Sequence, residues 1–318
     1  MPRNSKMIDK ELYDALREYK PELTDSSLRI YCLNLMHLSN YYDKALTPEL
    51  FKNPTAIRDD LEELKYTNAT LKNKLSSIIV YLRMKKQPEE LINKYVDMFE
   101  SLSGQMSKDH ATMNKTDKEN DNWMSKEELI KYLNILKKEL PKKPITKSEM
   151  SKWMKYITLL IHINYPLRNE LADTEITTKR TEGLNNDPNI NYIIVKKDNV
   201  SALIQAYKTK KTYKDIKFNF VKEVADEIRT YYKHLSTFKK TNNINNNWFL
   251  IAKNNEKMTR NDFTHFMQSI FEPLGKNIST TMIRKIIVSA LYPVEQMKQL
   301  SQVMGHDIST AMQYYAKD

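Results

Sequence analysis

Only four glycines occur in 318 residues, Gly104, Gly183, Gly275 and Gly305, and no two lie close together. Loops that cradle a phosphate need glycines within a few residues of each other, so that the backbone can approach the anion closely. A P-loop and a dinucleotide-binding turn are therefore excluded. The single cysteine, Cys32, excludes a disulfide framework and a zinc ribbon or finger. The six histidines are dispersed, with no HExxH pair. No apolar run approaches the roughly 18 residues of a membrane span, and the segment 1–6 lacks the apolar core of a signal peptide. The expectation is a soluble, intracellular protein that uses no metal and no cofactor and does not engage a membrane.

Apolar spacing indicates helices. Leu28, Tyr31, Leu35, Leu38 and Tyr42 recur at intervals of three and four behind a Thr24-Asp25-Ser26 capping cluster. Leu71, Leu75, Ile78, Ile79 and Leu82 repeat the pattern, and Pro21, Pro48, Pro54 and Pro88 separate such segments. A bundle of about four helices is predicted here. Periodicity is lost over 101–122, a polar stretch. The domain reading is a helical domain over 1–105, a linker over 106–122 and a second domain over 123–318. The second domain opens on a capping box, Ser125 and Glu128, ahead of Leu129, Tyr132, Leu133 and Leu136. A helix is predicted over 147–164. Strands are predicted at Tyr192–Val195, Ala202–Lys208 and Asp215–Asn219, and a helix from Val221 to Leu235. After the loop Thr241–Asn247 the remainder reads as helical. The fold class is mainly α (α+β), with a small antiparallel sheet in the second domain.

Lys and Arg number 51 against 40 Asp and Glu, a net charge of +11 and a pI of about 9.3. That excess favours an anionic partner, nucleic acid ahead of membrane.

Four segments carry candidate chemistry: Tyr165-Pro-Leu-Arg168-Asn-Glu170, Ala206-Tyr-Lys208-Thr209-Lys210-Lys211, Thr281-Met-Ile-Arg284, and Met304-Gly305-His306 followed by Tyr314-Tyr315. Attack on a phosphodiester builds negative charge on its non-bridging oxygens. Two guanidiniums, Arg168 and Arg284, can clamp them without losing charge. A tyrosine can attack phosphorus and store the bond covalently, with no metal or nucleotide. An ammonium such as Lys208 can protonate the leaving 5′ oxygen, and His306 can donate to the phosphate or orient the tyrosine. Lys210 and Lys211 compete with Lys208 for that role. Glu170 either buttresses a guanidinium or faces solvent. His162, in an apolar stretch, reads as a core histidine, and His37, His110, His234 and His265 carry no role.

In order and spacing these segments resemble the tyrosine recombinase, or integrase, family, whose chemistry is shared with type IB topoisomerases. Gly305-His306 stands as that family writes it, and Tyr315 follows His306 by nine residues, the nucleophile's place. The family's His-x-x-Arg box is Thr281-Met-Ile-Arg284 here, with threonine in place of its histidine. The resemblance implies catalytic residues Arg168, Lys208, Arg284, His306 and Tyr315, and a covalent 3′-phosphotyrosine intermediate. It also implies double-stranded DNA as partner, a core-binding domain over 1–105, a homo-tetramer on DNA, and an integrase of a virus or mobile element. The alternatives are a monomeric type IB topoisomerase and a catalytically impaired DNA-binding protein on the same fold.

If the excess charge meets DNA phosphates, each contact releases counterions. Duplex affinity, followed by fluorescence anisotropy, should fall linearly in log–log form with salt and lose about tenfold or more between 50 and 200 mM. A flat salt profile contradicts this reading.

Overall fold

A computed structural model describes residues 9–111, 114–179, 187–291 and 304–305. The chain divides into two compact units, Met1–Thr112 and Met113–Asp318.

The first unit holds α1 (Lys10–Tyr19), α2 (Asp25–Tyr41), a 3-10 turn (Pro48–Phe51), α3 (Pro54–Glu63), α4 (Asn68–Met84) and α5 (Glu89–Ala111). Side-chain oxygens start the helices where orphan N–H groups need acceptors: Asp9 takes Leu12 N, Thr24 takes Ser27 N and Thr67 takes Thr70 N. Pro54 occupies the first helical turn of α3, where its missing N–H costs nothing. Leu28, Leu35, Leu38, Leu75, Ile78 and Leu82 are all buried in one core with Phe51 and Tyr95. The Tyr95 hydroxyl donates to Phe51 O at 2.9 Å, which anchors the 3-10 turn to α5.

The stretch read as an aperiodic linker is mostly helical. α5 packs Ile92, Tyr95 and Phe99 on the core and runs on to Ala111, its last turns largely exposed. Residues 117–122 form α6 (Asp117–Asn122), opened by a Thr116–Glu119 capping box. It docks by polar groups within the second unit. Lys285 pairs with Glu119, Lys276 Nζ donates to Asp121 O and Trp123 O at 3.1 and 3.0 Å, and Asn277 N donates to the Asn122 side chain. A helix held this way leaves no apolar stripe in the sequence.

In the second unit, α7 (Lys126–Lys138) begins at the expected Ser125–Glu128 box, and α8 (Lys147–Asn164) follows. α8 is the central helix. Its buried residues include Trp153, Tyr156, Ile157, Leu159 and Ile161, and it packs against α7, α10 (Lys222–Thr241), α11 (Arg260–Phe271) and α12 (Thr280–Ala290).

The sheet is mixed where an antiparallel one was expected. Strands β2 (Asn191–Val195), β3 (Val200–Ile204) and β4 (Ile216–Asn219) form the antiparallel part, and β1 (Thr174–Thr177) adds to β2 in parallel. β1 is a four-residue strand, Thr-Glu-Ile-Thr, too short for an alternation signal. The segment after α10, read as helical from residue 248, instead covers β1. Ile176 N donates to Asn247 O and Phe249 N to Thr174 O, both at 2.8 Å, which satisfies an edge that would otherwise stay open. β3 ends at Ile204, so Lys208 lies beyond the strand, in the connection that also contains the short helix α9 (Lys210–Tyr213). Among the described residues no helix is long and apolar enough to cross a membrane.

Tyr165 ties the end of α8 to the sheet. Its ring stacks on Phe218 at 4.8 Å, meets Phe220 edge-on at 5.0 Å, and its hydroxyl accepts from Val221 N at 2.8 Å. Removing the ring in Tyr165→Ala should cost about 3–5 kcal/mol in urea unfolding. Tyr165→Phe, which keeps the ring but orphans the Val221 N–H and removes a long bond to Asn219 O, should cost about 1–3 kcal/mol. Equal losses from the two variants would show that the hydroxyl, and not the stacked ring, holds this junction.

Candidate active site

Three of the four chemistry-bearing segments meet around Met304 and Gly305. Arg168, half-buried just past α8, donates from Nη1 to Met304 O at 3.2 Å. The Thr209 hydroxyl donates to Gly305 O at 2.8 Å. Gly305 has φ +65°, and a Cβ there would come within 2.8 Å of Tyr207 Cε2 and 3.2 Å of Ile216 Cδ1. Glycine is required on both counts: its backbone is left-handed, and the β3–β4 connection lies against it. Leu167, Arg168, Glu170, Tyr207, Ile216 and Met304 line one narrow crevice there. His306, Tyr314 and Tyr315 lie outside the described residues.

The three lysines of the second segment differ. Lys208 is exposed, and among the described residues its ammonium has no ion pair. Lys210 is paired with Asp215 at 3.2 Å. The side chain of Lys211 is outside the described set. The turn carrying Lys208 is well anchored. The Tyr207 hydroxyl closes it by donating to Lys214 O, and Arg260 Nη2 donates to Ala206 O at 2.9 Å while its Nε reaches Asp173 Oδ2 at 2.8 Å.

Arg284 is placed differently from an open phosphate clamp. It is 1% exposed, on the inner face of α12, while Thr281, one turn earlier, is exposed. Its guanidinium charge bears on two buried groups. Burial raises the pKa of Glu170, and the charges of Arg168 and Arg284 oppose that rise. Burial lowers the pKa of His162 below 6.5, carbonyl hydrogen bonds oppose this, and Arg284 adds to the lowering. Glu170 is thus buried and not a solvent-facing carboxylate, and both guanidinium charges act on it. Among the described residues its Oε2 has no hydrogen-bond partner.

His162 is the core histidine anticipated, and it also grips the site. Its Nε2 faces Arg168 O at 3.2 Å and its Nδ1 faces Thr158 O at 2.8 Å. A neutral imidazole has one N–H, so it donates to one of these carbonyls at a time. Two further residues went unnoticed in the sequence. Asn169 donates to Thr264 Oγ1 at 3.0 Å and accepts from Thr280 Oγ1 at 2.9 Å, joining the Arg168 loop to α11 and α12. Asn191, fully buried at the start of β2, donates to Glu170 O at 3.0 Å and accepts from Gln205 N and Ala206 N at 2.8 and 2.7 Å. An asparagine beside a loop carries no sequence signal for such a role.

Comparison with protein-family models finds no match, and comparison with curated proteins finds none either. Among solved structures, the chain is similar to XerA recombinase at 12% identity and a TM-score of 0.41, covering 97% of this chain and 94% of that one. It is also similar to XerH site-specific recombinase bound to difH substrate in a pre-cleavage complex, at 14% identity and a TM-score of 0.44, covering 95% and 91%.

The packing at Gly305 is directly testable. Gly305→Ala must hold a left-handed φ at about 1–2 kcal/mol and displace Tyr207 besides. A loss of at least that size is expected in chemical denaturation, and Gly275→Ala, with a left-handed φ of 65° but open space around its Cβ, should lose less. Equal losses at the two glycines would show that the contact with Tyr207 is not made.

Proposed function

We propose that this protein is a tyrosine recombinase that cleaves and rejoins double-stranded DNA through a 3′-phosphotyrosine on Tyr315. The supporting observation is the meeting of Arg168, the Lys208–Thr209 turn and Met304–Gly305, through hydrogen bonds that span 136 and 96 residues of sequence. The sequence motif places His306 next to Gly305, and Tyr315 nine residues on.

In this reading Arg168 spends one N–H on Met304 O and keeps other donors of its planar fork for the non-bridging oxygens. Arg284 acts on the same phosphate from beneath the surface, where a charge is less screened than in water. The Tyr315 oxygen attacks phosphorus and the phenol proton leaves to a base. The P–O5′ bond breaks, and the Lys208 ammonium protonates the departing 5′ oxygen. His306 donates to the phosphate. Rejoining reverses these steps. The first unit supplies a DNA-binding domain, and four copies act together on DNA inside the cell, as the integrase of a virus or mobile element.

The burial of Arg284 and the threonine at position 281 favour one rival, a DNA-binding protein on this fold that does not cut. A suicide DNA substrate, whose cleaved end cannot religate, separates the two. A covalent protein–DNA band should form on a denaturing gel, disappear in Tyr315→Phe with DNA affinity nearly unchanged, and persist in Tyr314→Phe. DNA binding with no band in the unaltered protein would favour the non-cutting rival.

A further inference from the structure

One buried side-chain amide joins the two loops that carry the proposed phosphate clamp and the proposed general acid. Asn191 is fully buried and uses its donor and its acceptor together. Its donor goes to the carbonyl of Glu170, two residues beyond Arg168. Its acceptor takes the N–H groups of Gln205 and Ala206, the latter two residues before Lys208. We propose that Asn191 is a positioning residue for the Lys208 ammonium, acting through the backbone of 205–206. This rests on the reading of Lys208 as the general acid.

The direction of the effect follows from what each loop keeps when the amide is lost. Glu170 O also accepts from the Thr174 hydroxyl at 2.8 Å, so the Arg168 side retains a partner. The N–H groups of Gln205 and Ala206 both point at the one oxygen of Asn191. Without it two donors at the root of the turn are orphaned, Gln205 among buried residues, and the turn must shift to satisfy them. Lys208 is exposed with no ion pair among the described residues, so its position depends on the backbone beneath it. Arg260 supports the same turn from outside, through Ala206 O. Proton delivery to a leaving oxygen needs hydrogen-bond reach, and a displacement near 1 Å costs on the order of a hundredfold in rate.

Single-turnover cleavage of a suicide substrate by the full chain tests this, with the scissile 5′ position either oxygen or bridging sulfur. A thiolate leaves without a proton, so sulfur removes the need for the general acid and no other need. Lys208→Ala should be slow on oxygen, by about 10²–10⁴-fold, and recover on sulfur. Asn191→Ala should show the same signature, a deficit on oxygen of the order of a hundredfold that largely disappears on sulfur, with duplex affinity unchanged. A deficit equal on both substrates, or no deficit, overturns the proposal. If Asn191→Ala does not fold, Arg260→Met decides: this exposed residue should give a smaller deficit, again relieved by sulfur. Should Lys208→Ala itself not recover on sulfur, the general-acid reading fails first, and that outcome is distinct from recovery in Lys208→Ala without recovery at Asn191.

Discussion

Main-chain carbonyls that have left regular secondary structure must still find donors when buried, and the candidate site is organised by that requirement. Met304 O, Gly305 O, Arg168 O, Glu170 O and Ala206 O each face a side-chain donor: Arg168, Thr209, His162, Asn191 and Arg260 in turn. Met304 is helical next to the turn at Gly305, Glu170 opens a 3-10 turn, and Arg168, Ala206 and Gly305 lie in loops or turns. The donors come from α8 and the loop after it, β2, the β3–β4 connection and α11, so loops distant in sequence are held in one place by bonds to backbone, which side-chain packing alone would not orient.

The same arrangement disposes charge. Arg284 is sealed in the interior, a cost that needs nearby compensation, and Glu170 is buried within range of both Arg284 and Arg168. Burial raises the pKa of Glu170, and the two guanidinium charges oppose that rise. Arg168 is the half-exposed member of this set, with one N–H committed to Met304 O. Thr281, on the solvent side of α12, takes no part in this charge set, so the box position that departs from the family pattern is also the one the described structure leaves outside it.

Much of this was legible in the sequence. The apolar repeats of α2, α4 and α8 mark buried helix faces directly, and Pro54, Thr24 and Ser125 mark helix starts by chemistry that acts within a few residues. The Arg168, Lys208–Thr209 and Gly305 segments were found because motifs carry them. What escaped depends on distant partners. β1 is too short to show alternation and is stabilised by pairing with β2 and with 247–249. α6 is held by one described ion pair and by hydrogen bonds to its backbone, which leave no periodicity. Arg284 has the same letter whether it lies outside or inside, and its burial is decided by which face of α12 packs on α8. Asn191 and Asn169 act through single amides whose partners lie up to 111 residues away.

In the proposed mechanism a tyrosine nine residues after His306 becomes covalently joined to DNA. The sequence makes its location readable, because trypsin releases 299–317 as one peptide in which Tyr314 and Tyr315 are the only tyrosines. Digestion of the trapped protein–DNA adduct with trypsin and nuclease, followed by fragmentation mass spectrometry, reads the linkage residue by residue. A nucleotide remnant is expected on Tyr315. A remnant on Tyr314, on a serine or on any residue outside this peptide would contradict the proposed mechanism.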